Sequence, residues 1–290
     1  QKSLFELYDA MDLLPPVASP WDSPKWKDWQ AEDLESRVLV GSSRTERYGQ
    51  LGKHSDLGIG MEIPVFRDPL AGLHLVGVGD GREAANGLAR SIILRTLTAF
   101  RPGMLQLTLF DPVGMGQSAQ SLLEIAEYNR DLIGGKVWSS AEDLRQQLTS
   151  VSAHIEMATQ KYLRSQFGTL EEFNQAAGDA AEPYRLLVVF DFPSNFEKDS
   201  FDELVRIAHN GPRCGVGVLL VSPSNPEMPH GTSINQLQMP QLPVNGTIEQ
   251  SSSLRMKFES DSDLNADPEV IASIVRSVAE TPGIGRIRAA

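Results

Sequence analysis

Residues 73–90 read LHLVGVGDGREAANGLAR, and this stretch decides the expected fold. An apolar run leads into closely spaced glycines, and alanine- and leucine-rich sequence follows. The glycines are Gly77, Gly79 and Gly81. This order predicts a strand, a tight turn and a helix, an arrangement in which backbone N–H groups at the helix N-terminus hold a phosphate. The sequence therefore predicts the geometry of a phosphate-binding loop.

The same loop departs from the motif G-x-x-x-x-G-K-[ST] at the positions that carry its chemistry. Counted from Gly77, the second glycine is replaced by Arg82, the lysine by Glu83 and the magnesium-binding hydroxyl by Ala84. A carboxylate at the lysine position repels the phosphates that lysine would neutralise. We interpret the loop as one that keeps its fold and has lost catalysis. Weak anion or nucleotide binding through backbone N–H groups and Arg82, without magnesium, is the alternative, and active hydrolysis is the least favoured.

Length and composition narrow the class of protein. The 290 residues are 41% hydrophobic, which is ample for one α/β domain with an appendage. A net charge of −12 argues against a general nucleic-acid-binding surface. The single cysteine excludes an intrachain disulfide and, with five scattered histidines, gives no zinc spacing, so no metal site is expected. Without a membrane-length apolar run we expect a cytoplasmic protein, and the start at Gln1 suggests a piece of a longer one.

Short apolar strands alternate with helices after residue 73. The strands are expected at Leu73–Val78, Leu105–Phe110, Arg185–Phe190 and Gly215–Val221. This alternation predicts an α/β fold, a mostly parallel sheet with helices on both faces, and a ligand site at the carboxyl ends of the strands. Two of those ends carry acids, Asp111 and Asp191. We favour the interpretation that they cap loops or pair with arginine over a residual metal-binding role.

The third strand also has the layout of a Walker B strand. Its aspartate would hold the water shell of a magnesium ion, and the next residue is normally the glutamate that activates water. Here that residue is Phe192, which cannot accept a proton.

Three regions are predicted, over residues 1–68, 69–223 and 224–290. The first combines a Trp- and Pro-rich arm with a small antiparallel β element at RVLV (37–40) and LGIGMEIPV (57–65). We expect the arm's tryptophans, Trp21, Trp26 and Trp29, to anchor it by packing, with ligand recognition as the alternative. The second is the α/β core. The third contains a loop over 223–243, one or two edge strands within 247–260 and a final helix over 270–279.

Helix starts are predicted from two capping boxes. One is Ser139–Glu142, and the other is Thr169–Glu172.

Four stretches, taken in order, resemble the motor domain of the FtsK/SpoIIIE-type ATPases, a HerA-like branch of the P-loop family that pumps double-stranded DNA as hexamers. They are LHLVGVGDGREAANGLARSIILRTL, RPGMLQLTLFDPVGMG, LLVVFDF and LVRIAHNGPRCGVGVLLVSP, within residues 70–222. Val113 replaces a family lysine, Ser222-Pro223 replaces a Thr-Gln pair, and Arg213 lies one position from an arginine that faces a neighbouring subunit's nucleotide. More narrowly, the chain resembles the first, Walker-less domain of large tandem FtsK-like bacterial proteins.

The resemblance implies a RecA-like P-loop core and a non-hydrolysing pseudo-ATPase domain that scaffolds or regulates a linked active DNA-translocase-type ATPase. Two alternatives remain: an ATP-binding translocase motor with substituted Walker residues, and a protein-interaction module. A linked or neighbouring FtsK-like domain, in a ring or other oligomer, is the implied partner, and DNA is expected to contact the full-length protein rather than this acidic domain. No catalytic residue and no cofactor are expected, with weak ATP or ADP binding without magnesium as the alternative. The vestigial nucleotide pocket would comprise Gly77, Gly79, Gly81, Arg82, Asp111, Asp191 and Arg213.

Overall fold

The computed structural model describes residues 19–26, 38–47, 62–101, 103–123, 125, 129–163, 166–244, 247–251, 254–260 and 267–280. Its strands are β1 (Val38–Arg47), β2 (Glu62–Arg67), β3 (Leu73–Gly77), β4 (Leu105–Phe110), β5 (Tyr184–Val189), β6 (Val216–Pro223), β7 (Gln241–Val244), β8 (Thr247–Ser251) and β9 (Leu254–Ser260). Its α-helices are α1 (Arg82–Ala99), α2 (Ala141–Lys161), α3 (Leu170–Ala177), α4 (Lys198–Asn210) and α5 (Pro268–Glu280). None of the helices within these ranges is both long and apolar enough to cross a membrane.

The central sheet has five strands in the order β4-β5-β6-β3-β7, and every neighbouring pair is parallel. The predicted α/β class and the four predicted strands are confirmed. The prediction of a loop throughout 223–243 is wrong at its end, because β7 pairs with β3 there. Proline has no N–H to donate to a strand ladder, and Pro243 is accommodated because β7 is an edge strand with a neighbour on one side only.

Helices cover both faces of this sheet because its side chains alternate between two apolar layers. On β5, Leu186 and Val188 pack with α1 and α5, whereas Leu187 and Val189 pack with α2 and α4. Full burial of a Leu or Val side chain stabilises the fold by about 1.5–3 kcal/mol. The two layers therefore hold the carboxyl ends of the strands in fixed positions.

The two predicted capping boxes differ in how well they match the structure. Helix α2 is capped by Ser140 rather than Ser139, and Asp143 completes the box. The predicted box is therefore one residue too early. With Ser140 as the N-cap, the N3 position is Asp143 and not Glu142. Thr169 caps α3 as predicted, with its side chain accepting from the N–H of Glu172, but Glu172 Oε2 accepts from the N–H of Gly168 at 2.6 Å instead of completing the box.

A second sheet has four antiparallel strands in the order β2-β1-β9-β8. The predicted antiparallel pairing is confirmed for β1 with β2, and residues 57–61 of the second predicted strand lie outside the described residues. Strands are present within 247–260 as predicted, but only β8 is an edge strand, because β9 lies between β1 and β8. Because β9 pairs with β1, the sheet joins the region before the core to the region after it. The division at residues 68 and 223 stays a prediction.

The Trp-rich arm packs on α1 through two stacked indoles. Trp21 and Trp26 are both buried, with ring centroids 4.7 Å apart. The guanidinium of the fully buried Arg95 lies 4.3 Å from the Trp21 ring centroid, and Trp21 Nε1 donates to Ser91 Oγ at 2.9 Å. The packing role predicted for these two indoles is confirmed, whereas Trp29 lies outside the described residues.

Candidate functional site

The turn between β3 and α1 has the tight geometry that its glycines predict. The N–H of Val78 donates to Val244 O at 3.1 Å, and the N–H of Gly81 donates back to Val78 O at 3.0 Å. A Cβ added at Gly81 would lie 2.8 Å from Val78 O, and Gly79 has a φ of +59°. Both positions therefore need glycine: the first for space and the second for backbone conformation.

Arg82, the first residue of α1, reaches across the cleft to Asp191 at the end of β5. Its Nε donates to Asp191 Oδ1 at 2.6 Å, and its Nη2 donates to Oδ2 at 2.7 Å. This bidentate contact raises the pKa of Arg82, chiefly through its hydrogen bonds to Asp191. The Arg82 side chain is 58% exposed and that of Asp191 is 13% exposed. Both carboxylate oxygens at the Walker B position therefore accept from the phosphate-binding loop itself.

Glu83, at the motif's lysine position, faces another arginine. Its Oε1 accepts from Arg90 Nη2 at 3.0 Å, and Arg90 Nη1 donates to Ser118 O at 3.0 Å. Ala84, at the hydroxyl position, packs against the apolar layer around α1. The loop thus presents no lysine and no hydroxyl side chain at these two positions.

Asp111, at the end of β4, is fully buried and organises its own loop. Its carboxylate accepts from the N–H groups of Gly114, Gly116 and Ser118 at 2.9, 2.8 and 3.0 Å, and from Ser118 Oγ at 3.2 Å. A Cβ at Gly114 would lie 2.6 Å from Asp111 Oδ2, so glycine is needed for the loop to close around the carboxylate. This is the loop-capping role that the sequence favoured for the residue.

Phe192 follows Asp191 and turns into the core. Its side chain is fully buried, and its N–H donates to Val221 O at 2.8 Å. The ring centroid lies 5.1 Å from that of Phe196 and 6.4 Å from that of His74. The position after the Walker B aspartate is therefore part of the hydrophobic packing.

A buried polar pair behind the cleft was not singled out from the sequence. His74 Nε2 lies 2.7 Å from Ser222 Oγ, and both residues are buried. Burial lowers the pKa of His74 from 6.5 to about 4, so the imidazole is neutral at pH 7. The contact depends on the parallel pairing of β3 with β6, and no local sequence signal marks it.

A cavity of about 460 Å³ lies at this end of the sheet, lined by residues that include Gly77, Gly79, Arg82, Val113, Asp191 and Ser222. Of the predicted pocket residues, Gly77, Gly79, Arg82 and Asp191 line this cavity. Gly81 packs inside the turn, and Asp111 is buried under its own loop. Arg213 lies elsewhere. It belongs to the turn Pro212–Cys214 before the amino end of β6 and lines a separate groove with Glu203 and Arg206. Since β6 extends about 23 Å, Arg213 cannot reach the cleft of its own chain.

Comparison with known proteins rests on structure alone, since no family model and no curated protein sequence matches the chain. EssC ATPases 2 and 3 from Geobacillus thermodenitrificans superpose with a TM-score of 0.59 at 14% identity, over 95% of this chain and 52% of that one. The cytoplasmic domain of the Thermomonospora curvata type VII secretion ATPase EccC superposes with a TM-score of 0.61 at 18% identity, over 94% of this chain and 34% of that one. The pCW3 conjugation coupling protein TcpA with ATPγS superposes with a TM-score of 0.56 at 14% identity, over 91% of this chain and 75% of that one.

The fold is that of the FtsK/SpoIIIE-type P-loop ATPases. This confirms the fold that the four sequence stretches predict. The chain spans about half of the EssC structure and a third of the EccC structure, so it corresponds to part of those proteins.

Proposed function

We propose that this chain is a non-hydrolysing FtsK/SpoIIIE-like pseudo-ATPase domain that scaffolds or regulates a linked, active ATPase of the DNA-translocase type. The observation that carries the proposal is the burial of Phe192 at the position of the water-activating glutamate. A phenyl ring cannot accept a proton, and here a buried ring packed against Phe196 and Phe201 is what this position adds to the lining of the cleft. The P-loop cleft therefore lacks a general base at the expected place.

The fold implies a magnesium nucleotide, and the residues of the cleft do not fit one. Phosphoryl-transfer sites need a lysine at the phosphates and a hydroxyl and a carboxylate around the metal. Glu83 is paired with Arg90, Ala84 has no oxygen on its side chain, and Asp191 accepts from Arg82 with both oxygens. Within the described ranges, no group of three or more His, Cys, Asp or Glu side chains could hold a metal ion. These contacts support scaffolding rather than hydrolysis.

The solved neighbours support a linked ATPase domain as the partner. EssC ATPases 2 and 3 form one structure, of which this chain covers 52%. We therefore place the domain beside a second FtsK-like domain, in a cytoplasmic protein whose ring or other oligomer would bring double-stranded DNA to the active domain. Arg213, at the opposite end of β6 from the cleft, is available to such a neighbour.

Steady-state phosphate release from ATP tests the absence of hydrolysis. The 290-residue protein is compared with Asp191→Ala in the presence of magnesium, and both are checked for folding by circular dichroism. We expect equal, background rates for the two proteins. Magnesium-dependent turnover by the wild type that disappears in Asp191→Ala would overturn the proposal and favour a motor with substituted Walker residues.

Calorimetric titration with ATP tests binding separately from turnover. We expect no magnesium-dependent heat at millimolar nucleotide, because both Asp191 oxygens are already engaged. Magnesium-dependent binding that is lost in Asp191→Ala would argue for the motor.

A further inference from the structure

We propose that the Arg82–Asp191 ion pair replaces a bound nucleotide as the bridge between the P-loop and β5, so that the loop keeps one conformation with or without nucleotide. The inference deepens the proposed function and rests on it. In an active site of this fold, phosphates held by the P-loop and the magnesium held by the Walker B aspartate connect these two elements. Here a side chain of the loop makes that connection directly.

The geometry of the pair suits a permanent bridge. Two parallel N–H donors meet two carboxylate oxygens at 2.6 and 2.7 Å, the bidentate arrangement that gives arginine–carboxylate pairs their strength and direction. The Asp191 side chain is only 13% exposed, so solvent screens the pair less than it would two fully exposed groups.

Both ends of the bridge are anchored. Arg82 begins α1, whose side chains from Ala85 to Ala99 are buried. On the other side, the backbone beside Asp191 is fixed by the hydrogen bond from the N–H of Phe192 to Val221 O and by the buried Phe192 ring. Because neither end is on a free loop, the ion pair fixes the P-loop relative to β5.

Glu83 and Asp111 also attract the Arg82 guanidinium through space, but their carboxylates are hydrogen-bonded to other donors. Glu83 is paired with Arg90, and the Asp111 carboxylate accepts from the backbone of its own loop. Asp191 is therefore the carboxylate to which Arg82 is matched. A nucleotide that entered with magnesium would have to separate this pair before the metal could approach Asp191.

Hydrogen–deuterium exchange of the segment 73–90 in the full 290-residue protein tests the bridge. We expect slow exchange in the wild type that magnesium ATP does not change. Arg82→Gln and Asp191→Asn should each speed exchange of the P-loop amides about tenfold, as expected when a bidentate charge-assisted contact is lost. The double variant should exchange no faster than either single variant. Arg145→Gln removes an exposed ion pair with Glu142 on α2 and serves as the matched control, with no change expected over 73–90.

Arg82→Lys keeps the charge and loses the second hydrogen bond, so its exchange rate over 73–90 should lie between those of the wild type and Arg82→Gln. It also supplies a folded comparison if Arg82→Gln does not fold. Unchanged exchange in Asp191→Asn and in the Arg82 variants would overturn the bridge, as would wild-type slowing by magnesium ATP. These outcomes differ from failure of the proposed function, which is read from phosphate release.

Discussion

Asp111 directly follows β4 and Asp191 lies two residues beyond the end of the adjacent strand β5, yet these two acids at one edge of the sheet have different roles. Asp111 is fully buried and is satisfied by the backbone of the loop that follows it. Asp191 borders the cleft and is satisfied by Arg82, 109 residues earlier in the chain. An acid at a strand end can thus build its own loop or hold a distant one, and the residues that follow it decide which.

The difference comes from the backbone donors available after each acid. Gly114 and Gly116 let the first loop fold back, so that N–H groups converge on the carboxylate. After Asp191, Phe192 donates its N–H to Val221 O, and Pro193 has none to donate. The second carboxylate therefore needs a partner from outside its turn, and Arg82 supplies it.

The largest effect is expected from Asp111→Ala. Removing the carboxylate leaves the N–H groups of Gly116 and Ser118 buried without an acceptor, along with that of Gly114, which should lower the free energy of unfolding by about 4 kcal/mol. Urea denaturation measures it. Asp111→Asn keeps one acceptor oxygen and should cost about half as much. If Asp111→Ala lowered the free energy of unfolding by less than Asp191→Asn does, the structural role assigned to Asp111 would be contradicted.

The next effect is a pH dependence beneath the Asp191 turn, where His74 lies edge-on to Phe192. Because the pKa of His74 falls from 6.5 in the unfolded chain to about 4 in the folded one, only the unfolded state takes up its proton between these values. The contribution of neutral His74 to the free energy of unfolding is fully present above pH 6.5. It should fall by roughly 3 kcal/mol as the pH drops to 4.

Urea denaturation across this pH range checks it with His74→Gln, which cannot titrate and should lose less stability on acidification. His209→Gln, at an exposed position on α4, is the control and should follow the wild type. His154, whose pKa burial also lowers to about 4, contributes a similar slope that both variants retain. Parallel curves for the wild type and His74→Gln would refute the assignment.

A smaller effect is expected from Asp191→Asn. The Arg82 side chain is more than half exposed, so the pair is partly screened and its loss should cost about 1 kcal/mol. The cost should shrink as salt is raised, whereas that of Asp111→Asn should not, because its partners are uncharged N–H groups. Urea denaturation at low and high salt separates the two acids. Equal salt dependence would remove the distinction between them.

The sequence predicted the fold well because its signals are local. Apolar strands such as RLLVVF and the glycine turn after Leu73–Gly77 specify their own conformations, and their alternation with helices implies the parallel sheet. Strand β7 was missed because four residues containing Pro243 carry no periodic signal, and only pairing with β3 makes them a strand.

The site was predicted as a set of positions, without its contacts. Sequence spacing located the loop and both acids, and it identified Phe192 as a substitution. It did not pair Arg82 with Asp191 or Glu83 with Arg90, because side-chain partners depend on how α1 lies on the sheet. Arg213 was grouped with the pocket by motif order alone, and the parallel strand β6 carries it to the opposite end of the sheet.

The smallest effect is expected from Val113→Lys, which places a lysine where the resembled family has one. Val113 is 55% exposed and lines the cleft with Arg82 and Asp191, so the change should alter the free energy of unfolding by less than about 0.5 kcal/mol. The loop beneath it is held by Asp111 and does not depend on this side chain. Calorimetry should still detect no magnesium-dependent ATP binding, because the added lysine leaves Asp191 bound to Arg82. Magnesium-dependent binding gained by Val113→Lys alone would mean that the missing cation, rather than the Arg82–Asp191 pair, is what keeps the cleft from nucleotide.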